Sequence, residues 1–272
     1  MSESTQYLLG NSPGERERLL RQGELFGEQA RWLLDRIDIQ PGWRTLDVGC
    51  GPLGILDLLS GRVGAGGAVV GLDRDLQMRD WAQLSIAERG LDNVQIVAGE
   101  AESSGLPRAS FDFVHARLVL INVADCDAVV GEMAALARPG GVVAVQDLDW
   151  VSWVCEPPHP AWDKLVSATA AVRQAHGLDV HIGRRMPALL RRAGLVDVGY
   201  KAFAPTWKPG DLYQYLLIGF AELHRDKIVA AGLLGDDEMT ELATALRAHL
   251  DHPGTLVIHP LLFQAWGHKP AD

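Results

Sequence analysis

The most informative stretch of the chain is Leu46-Asp47-Val48-Gly49-Cys50-Gly51-Pro52-Leu53-Gly54, which lies between a predicted strand and a predicted helix. Glycines at these spacings let the chain turn sharply and let a ligand approach backbone N–H groups at a helix N-terminus. Gly49, Gly51 and Gly54 also satisfy the GxGxxG pattern of dinucleotide-binding proteins. The stretch therefore predicts a nucleotide-like ligand at a strand-to-helix turn, and the neighbouring residues must identify that ligand.

Two carboxylates beside the turn narrow the choice of ligand. Asp47 precedes the first glycine by two residues, so its negative charge disfavours the pyrophosphate of a dinucleotide and favours a cation. S-adenosylmethionine is such a ligand, because it carries an ammonium group and a sulfonium centre. Asp73 lies 24 residues after Gly49 at the end of the second predicted strand, where it can accept hydrogen bonds from both ribose hydroxyls. Asp73 fits NAD equally well, so it predicts an adenosyl ligand without choosing between the two.

Strand-like and helix-like segments alternate around the glycine turn. Apolar runs such as VVGL and VVAV are short and continuous, as in strands that helices cover on both faces. Alternation of this kind predicts βαβ units and a parallel sheet. The alternating segments are 44–48, 55–60, 68–72, 76–89, 94–98, 113–118, 128–137 and 142–146.

The segments on either side of this core follow other patterns. Residues 14–37 repeat apolar positions at helical spacing, which predicts one amphipathic helix before the first strand. We expect an N-terminal helical lid over residues 1–40, a cofactor-binding core over 41–150, and a remainder, 151–272, that completes the sheet and adds helical insertions as a substrate cap. Within that remainder, helices are predicted at 161–176, 184–193, 211–231 and 237–250, and strands at 196–203 and 255–266.

Three further segments extend the pattern, namely Val97-Ala98-Gly99-Glu100-Ala101-Glu102, Phe111–Leu120 and Leu136-Ala137-Arg138-Pro139-Gly140-Gly141. Together with the glycine turn, and in this order, they resemble the class I S-adenosylmethionine-dependent methyltransferases. The resemblance implies an α/β fold with a Rossmann-like seven-stranded methyltransferase sheet, helices on both faces, an antiparallel last strand and added helical lid segments. It also implies that the core binds S-adenosylmethionine as its cofactor.

The resemblance further implies a set of cofactor-binding residues. In the family an acidic residue after the third strand meets the adenine amine and the next backbone N–H meets the ring, which corresponds to Glu100 and Ala101, with Glu102 as the alternative acid. Arg117, at the end of the fourth strand, is either a cofactor or substrate contact or a surface ion-pair partner. Tyr7 either packs as an amphipathic anchor or belongs to an N-terminal lid that folds over the cofactor and brings its phenol near the methyl group. The predicted set is Tyr7, Asp47, Gly49, Cys50, Gly51, Asp73, Arg74, Gly99, Glu100, Ala101, Ala116 and Arg117.

Four further segments are Tyr7-Leu8-Leu9-Gly10, Glu17-Arg18-Leu19-Leu20, Gln146-Asp147-Leu148-Asp149 and Ala265-Trp266-Gly267. They resemble a bacterial subgroup related to ubiquinone and menaquinone biosynthesis methyltransferases, which act on small molecules, often in secondary metabolism. One departure is Leu53, where the subgroup commonly has a second glycine. Aromatic residues in the added segments predict a hydrophobic or aromatic acceptor, or else they pack the lid. His159, His176 and His181 cluster around a proline-rich insertion, and we predict His181, His159 and Asp149 as catalytic residues that deprotonate an acceptor.

Composition argues against several other classes of protein. The chain has 25 basic and 35 acidic residues, and its net charge of −10 disfavours nucleic acid as a partner. Its 3 cysteines form no CxxC pair and its histidines match no trusted ligand spacing, so we predict no metal site. No apolar run reaches the roughly 18 residues of a membrane span, and the start of the chain is unlike a signal peptide. We therefore predict a cytoplasmic protein without membrane insertion.

Two alternatives to methyl transfer onto a small-molecule acceptor stay open. The motifs encode cofactor binding and not transfer, so a protein that binds S-adenosylmethionine and uses it structurally would carry them too. The other alternative is an NAD-dependent oxidoreductase, against which Asp47 and the turn at 138–141 argue. The sequence also leaves open the identity of the acceptor and whether the protein forms an oligomer.

Overall fold

Strands and helices alternate through the first half of the chain in the computed structural model, which describes residues 13–271. The strands are β1 (Arg44–Val48), β2 (Ala68–Asp73), β3 (Val94–Ala98), β4 (Phe111–Arg117), β5 (Ala137–Asp149), β6 (Val154–Glu156), β7 (Val196–Phe203), β8 (Thr206–Trp207), β9 (Leu256–Ile258) and β10 (Leu261–His268). The helices are α1 (Pro13–Leu25), α2 (Gly27–Ile37), α3 (Leu56–Val63), α4 (Leu76–Arg89), α5 (Cys126–Leu136), α6 (Pro160–Ala175), α7 (Ile182–Arg192), α8 (Leu216–Leu223), α9 (Arg225–Ala230) and α10 (Asp236–Leu250).

The main sheet has seven strands in the order β3-β2-β1-β4-β5-β10-β7. The first five of these run parallel, whereas β10 runs antiparallel to both β5 and β7. Both faces of the central strands are covered, so residues 69–72 and 141–149 are buried, and the apolar runs VVGL and VVAV lie within these two segments. The predicted Rossmann-like seven-stranded sheet with an antiparallel last strand is confirmed.

Several segments have the bounds that the sequence predicts. The strands β1, β3 and β7 and the helix α4 begin and end at the predicted residues. In α4 the reason is local: the Asp75 side chain accepts a hydrogen bond from the Met78 N–H at one end, and Gly90 adopts the left-handed conformation at the other. Signals of this kind lie within a few residues of the element they end.

Two predicted helices are wrong in their continuity. The helix predicted over 14–37 is divided between α1 and α2 at Phe26, whose buried ring packs edge-on against His259 with 5.8 Å between ring centroids. The helix predicted over 211–231 is divided into a 3-10 turn at Leu212–Tyr215, α8 and α9, with the buried His224 between the two helices. Apolar spacing continues through both breaks because the residues at the breaks are themselves buried.

The closing strand predicted over 255–266 is also wrong in its continuity. Pro260 lacks the N–H that a continuous ladder needs, and the segment divides there into β9 and β10. The strand β9 pairs antiparallel with β6 and β8 in a second, three-stranded sheet. An aromatic cluster lies against this sheet, with ring centroids 5.2 to 6.2 Å apart, and consists of Trp150, Trp153, Trp162, Trp207 and His259. Burial lowers the pKa of His259 to about 4, so this ring is neutral within the cluster.

The added segments share the core of the main sheet. Buried apolar side chains form one contiguous cluster from Leu46 on β1 to Leu246 on α10. The second half of the chain is therefore packed against the sheet and does not have a separate hydrophobic core. The division into lid, core and cap at residues 40 and 150 stays a prediction about the roles of these segments.

Asp147 is a buried acid of β5 that holds the turn following β4. Its carboxylate accepts hydrogen bonds from the N–H groups of Ile121, at 3.0 Å, and Leu148, at 2.8 Å. The nearby Arg173 guanidinium donates to the Ile121 carbonyl oxygen over 2.5 Å. Burial raises the pKa of Asp147 to about 7, although the backbone hydrogen bonds and Arg173 oppose that shift.

We expect the Asp147→Asn variant to lose part of the pH dependence of stability. The pKa of Asp147 is higher in the folded protein than in the unfolded chain, so its contribution to stability falls as pH rises from about 4 to about 7. In urea unfolding, the decrease in stability from pH 5 to pH 8 should be about 2 kcal/mol smaller in D147N than in the wild type. The exposed Asp237→Asn is the matched control. The same pH dependence in all three proteins would contradict the raised pKa.

Candidate functional site

A cavity of about 590 Å³ opens beside the carboxyl ends of β1, β2 and β4. Open α/β sheets bind ligands at this edge, where the strand order reverses, and the volume is within the usual range for small-molecule sites. The residues that line it are Leu19, Gln22, Gly23, Gly49, Cys50, Gly51, Pro52, Gly54, Leu72, Asp73, Arg74, Asp75, Met78, Gly99, Glu100, Ala101, Glu102, Arg117, Leu118, Val119, Asn122, Val123, His176 and Leu178.

The glycine turn forms one wall of this cavity. Gly49, Gly51 and Gly54 have positive φ angles of 65°, 52° and 54°, which residues with side chains rarely adopt. A Cβ on Gly49 would lie 2.6 Å from a methyl carbon of Val119, and a Cβ on Gly54 would overlap the Asp47 carboxylate. No described atom lies within 4 Å of the position of a Cβ on Gly51, so its backbone is open to a ligand.

Asp47 lies behind the turn and not on the cavity wall. Its side chain is only 2% exposed, and one carboxylate oxygen accepts a hydrogen bond from the Ile55 N–H at 3.1 Å. The other oxygen lies 2.7 Å from Nδ1 of the buried His115. Asp47 therefore holds the start of α3 against β1, whereas the sequence predicts that it faces a cationic ligand. Its role toward a ligand stays a prediction.

Asp73 lies on the cavity wall at the end of β2. One of its carboxylate oxygens accepts a hydrogen bond from the Gly51 N–H at 2.9 Å, and the other accepts from the Asp75 N–H at 3.0 Å. Burial raises the pKa of Asp73, while these two hydrogen bonds act in the opposite direction. Each oxygen keeps a second lone pair, so the carboxylate can accept two further hydrogen bonds from a ligand.

Arg117 is the basic residue at the end of β4, and it faces the cavity. Its Nη2 donates a hydrogen bond to the Gly54 carbonyl oxygen at 2.8 Å. Burial lowers the pKa of Arg117, although the charges of Asp47 and Asp57 act in the opposite direction. The guanidinium thus contacts the last glycine of the turn from the cavity side.

The remaining predicted cofactor contacts fall into three groups. Cys50, Gly99 and Ala101 lie on the wall, together with Arg74 and Glu100, whose charged groups are 3.6 Å apart. Burial raises the pKa of the Cys50 thiol well above its usual value, so this group is protonated. Ala116 is buried within β4 and, among the described residues, is not part of the wall. Tyr7 lies outside the described residues.

The three predicted catalytic residues are placed away from the described cavity wall. The buried Asp149 forms an ion pair with Arg184, and its other oxygen lies 3.7 Å from Nδ1 of His181. His159 caps the N-terminus of α6, where its Nδ1 accepts a hydrogen bond from the Ala161 N–H at 3.2 Å. The structure does not bring these residues to the glycine turn, and their catalytic role stays a prediction.

The structure adds wall residues that the predicted set lacks. Leu118, Val119, Asn122 and Val123 follow β4, and the first two of them belong to the segment Phe111–Leu120 that resembles the family pattern. Leu19, Gln22 and Gly23 come from α1, and His176 and Leu178 come from the end of α6. His176 belongs to the histidine cluster noted in the sequence, but spacing alone does not show which of its three members faces the cavity. The sequence near α1 and α6 does not indicate that their residues line the cavity, because only folding brings these distant segments to the glycine turn.

The aromatic residues of the added segments pack the cap. Trp150, Trp153 and Trp162 are buried against one another, and Arg173 lies 4.8 Å from the centre of the Trp150 ring. These tryptophans do not belong to the described wall of the cavity. The sequence left two interpretations of the aromatic residues, selection of an aromatic acceptor and packing of the lid. For these three tryptophans the structure favours packing of the lid.

Comparison with known proteins agrees with this geometry. A family described as a methyltransferase domain matches residues 46–145. Nocamycin O-methyltransferase of Saccharothrix syringae is 39% identical over 122 residues, which cover 45% of this chain and 44% of that protein. Demethylmenaquinone methyltransferase of Anoxybacillus flavithermus is 36% identical over 121 residues, covering 43% and 51% respectively. The aligned part of the chain thus spans about half the length of these curated relatives.

Solved structures of low identity share the fold. A Haemonchus contortus phosphoethanolamine N-methyltransferase 2, in complex with S-adenosyl-L-methionine, is 18% identical with a TM-score of 0.62, covering 99% of this chain and 60% of that chain. An S-adenosylmethionine-dependent methyltransferase from Aquifex aeolicus is 22% identical with a TM-score of 0.52, covering 70% and 91%.

The fold, the glycine turn and the family match define one class of protein. Residues 46–145 match a family of methyltransferase domains, and the seven-stranded sheet that contains them shares the fold of solved methyltransferases that depend on S-adenosylmethionine. The relatives named for an acceptor carry three different ones, nocamycin, demethylmenaquinone and phosphoethanolamine, so the names give no common acceptor and the cavity has to indicate one.

We expect Gly54→Ala to destabilise the protein more than a glycine substitution that costs backbone strain alone. The new Cβ would overlap the Asp47 carboxylate, in addition to the strain of a positive φ. Gly90→Ala is the control, because Gly90 has the left-handed angles φ 61° and ψ 43° and open space around the Cβ position. In urea unfolding, we expect a loss of about 1 kcal/mol for G90A and at least about 2 kcal/mol more for G54A. Equal losses would contradict the role given to the Gly54–Asp47 contact.

Proposed function

We propose that this protein transfers the methyl group of S-adenosylmethionine to a small-molecule acceptor of hydrophobic or aromatic character, in secondary or quinone-like metabolism. The observation that carries the proposal is the single cavity that joins the glycine turn and Asp73 to an uncharged, largely apolar wall. The names of the relatives, which include an O-methyltransferase and demethylmenaquinone methyltransferases, support this class of reaction.

The residues at the charged end of the cavity suit the cofactor. The Asp73 carboxylate has free lone pairs for two ribose hydroxyls, and the open backbone at Gly51 lets a ligand approach closely. We assign the adenine to the wall formed by Gly99, Glu100 and Ala101, and the amino-acid part to the side of the turn near Arg117. When bound, S-adenosylmethionine supplies a methyl group attached to a positively charged sulfur, which is already a good leaving group.

The other end of the cavity suits the acceptor. We assign the apolar side chains of Leu118, Val119, Val123 and Leu178 to this end, and Leu19 of α1 adds a further apolar side chain to the cavity wall. Such a wall favours an uncharged ring or chain and excludes water around the reacting atoms. The contribution of the protein to the reaction is then alignment of the acceptor within a dry pocket, which lowers the entropic part of the barrier.

Hydropathy, cysteine state and net charge support a proposal for the compartment and for the kind of methyl acceptor. In the described part of the chain no helix is both long enough and apolar enough to cross a bilayer. The three cysteine thiols are unpaired, which accords with a reducing compartment, and we propose a cytoplasmic location. The acidic net charge of −10 supports a small molecule and not a nucleic acid as the methyl acceptor.

We expect Asp73→Ala to weaken cofactor binding strongly, because it removes a charged acceptor of two ribose hydroxyls. Hydrogen bonds to charged groups contribute about 1.5–3 kcal/mol each, so the affinity for S-adenosylhomocysteine should fall at least about hundredfold in calorimetric titration. Asp92→Ala, at an exposed acid before β3, is the control. Unchanged affinity in D73A would remove Asp73 from the binding site.

The activity itself is tested with methyl-labelled S-adenosylmethionine and two neutral acceptors, 2-naphthol and 1,4-naphthohydroquinone. We expect label in at least one product, together with release of S-adenosylhomocysteine. Tight binding of S-adenosylhomocysteine without any transfer would favour a structural use of the cofactor. Binding of NADH in place of S-adenosylhomocysteine would instead favour the oxidoreductase alternative.

A further inference from the structure

Three polar side chains of the described cavity wall, Gln22, Asn122 and His176, lie outside the segments assigned to the cofactor, and we place them at the acceptor end. Both ends of the Asn122 amide are already engaged, since Nδ2 donates to the Leu118 carbonyl oxygen at 2.9 Å and Oδ1 accepts from Arg173 at 3.3 Å. Gln22 has a neutral amide that does not take up a proton near neutral pH. His176 is therefore the side chain at this end with the chemistry of a base.

His176 is held in one orientation by the helix that it ends. It follows directly after α6, and its Nδ1 lies 2.8 Å from the Val172 carbonyl oxygen, one turn earlier. A carbonyl oxygen only accepts, so Nδ1 carries the hydrogen of this bond. In the neutral ring Nε2 is then the unprotonated nitrogen, and it lies on the side of the ring opposite the helix.

The position of the ring suits contact with a ligand. His176 is an exposed residue of the cavity wall, and no described residue forms a hydrogen bond with its Nε2. Leu178 and Val123 lie on the same wall and provide apolar surface for the body of an acceptor. The following residue, Gly177, has a φ of 75°, which turns the chain away after His176.

We propose that Nε2 of His176 is the general base of the transfer, and that the acceptor is a neutral, apolar molecule with an ionisable hydroxyl, such as a phenol or an enol. The inference rests on the proposed function. A lone pair of the acceptor oxygen forms a bond to the methyl carbon while the carbon–sulfur bond breaks. The electron pair of the broken bond stays on sulfur. The hydroxyl proton passes to Nε2, and the resulting imidazolium returns it to water after the product leaves.

The chemistry of this wall explains the choice of a neutral hydroxyl. Leu118, Val119, Asn122, Val123, His176 and Leu178 include no side chain with a fixed charge, so a phosphate or an ammonium group would lose its hydration without gaining a partner. A hydroxyl needs one acceptor for its proton, and Nε2 provides it. Charge then develops on the acceptor oxygen only as the proton leaves.

The first experiment measures proton transfer without turnover. 4-Nitrophenol, whose phenolate is yellow, is titrated at one pH into the complex of the protein with S-adenosylhomocysteine. We expect a larger yellow fraction in the complex than in buffer, and loss of this increase in His176→Gln. His268→Gln is the matched control, because His268 is exposed at the opposite edge of the sheet, beside Val142.

The second experiment measures turnover with 2-naphthol. We expect kcat to fall about hundredfold in H176Q with little change in KM, and to stay at the wild-type value in H268Q. Added imidazole should restore part of the rate in His176→Ala. Affinity for S-adenosylhomocysteine should be the same in all variants, which shows that each of them folds.

The outcomes separate this inference from the proposed function. Failure of the wild type to bind S-adenosylhomocysteine would overturn the proposed function itself. Binding of S-adenosylhomocysteine without ionisation or methylation of either phenol would overturn the acceptor class inferred here. Methylation of 2-naphthol at equal rates by wild type and H176Q would overturn the role of His176 and leave methyl transfer standing.

Discussion

The buried carboxylate of Asp47 is the contact on which the cavity depends. It accepts a hydrogen bond from the Ile55 N–H at the start of α3 and meets His115 of the neighbouring strand. From His115 the hydrogen bonds continue to Gln146 at 2.8 Å and then to Gln264 at 2.8 Å, which also donates to a backbone carbonyl of α2. A buried carboxylate is stable only when its lone pairs are occupied, so this chain of polar groups joins the glycine turn, four strands and α2 in one arrangement.

The two ends of the cavity follow from the topology of the sheet. Because β1 lies between β2 and β4, the turn after β1 opens where the strand order reverses. The end of β2 brings Asp73 to one side, and the end of β4 brings Arg117 and the apolar residues after it to the other. The helices α1 and α6 close the remaining wall with side chains that are mostly uncharged. One cavity thus combines a polar end for an adenosyl ligand with an apolar end for an acceptor.

Local signals explain which parts of the fold could be predicted. The bounds of β1, β3 and α4 agree with prediction because apolar runs, a helix cap and glycines define them within a few residues. The breaks at Phe26 and His224 could not be predicted, since both residues are buried by distant partners and keep the apolar spacing intact. The break at Pro260 had a visible signal, because proline removes a donor from the ladder.

The sequence alone determined the class of fold, the adenosyl-binding turn and the position of Asp73, since these depend on short-range patterns of glycine, acid and apolar residues. The direction of each side chain required the three-dimensional structure. Asp47 faces inward because His115 and Ile55 surround it, although its position in the motif suggested contact with a ligand. His176 reaches the cavity wall, while His159 caps the start of the same helix, 16 residues long, at its other end. Packing of α6 against α8, α9 and α10 decides which histidine meets the cavity, and no local pattern encodes that contact.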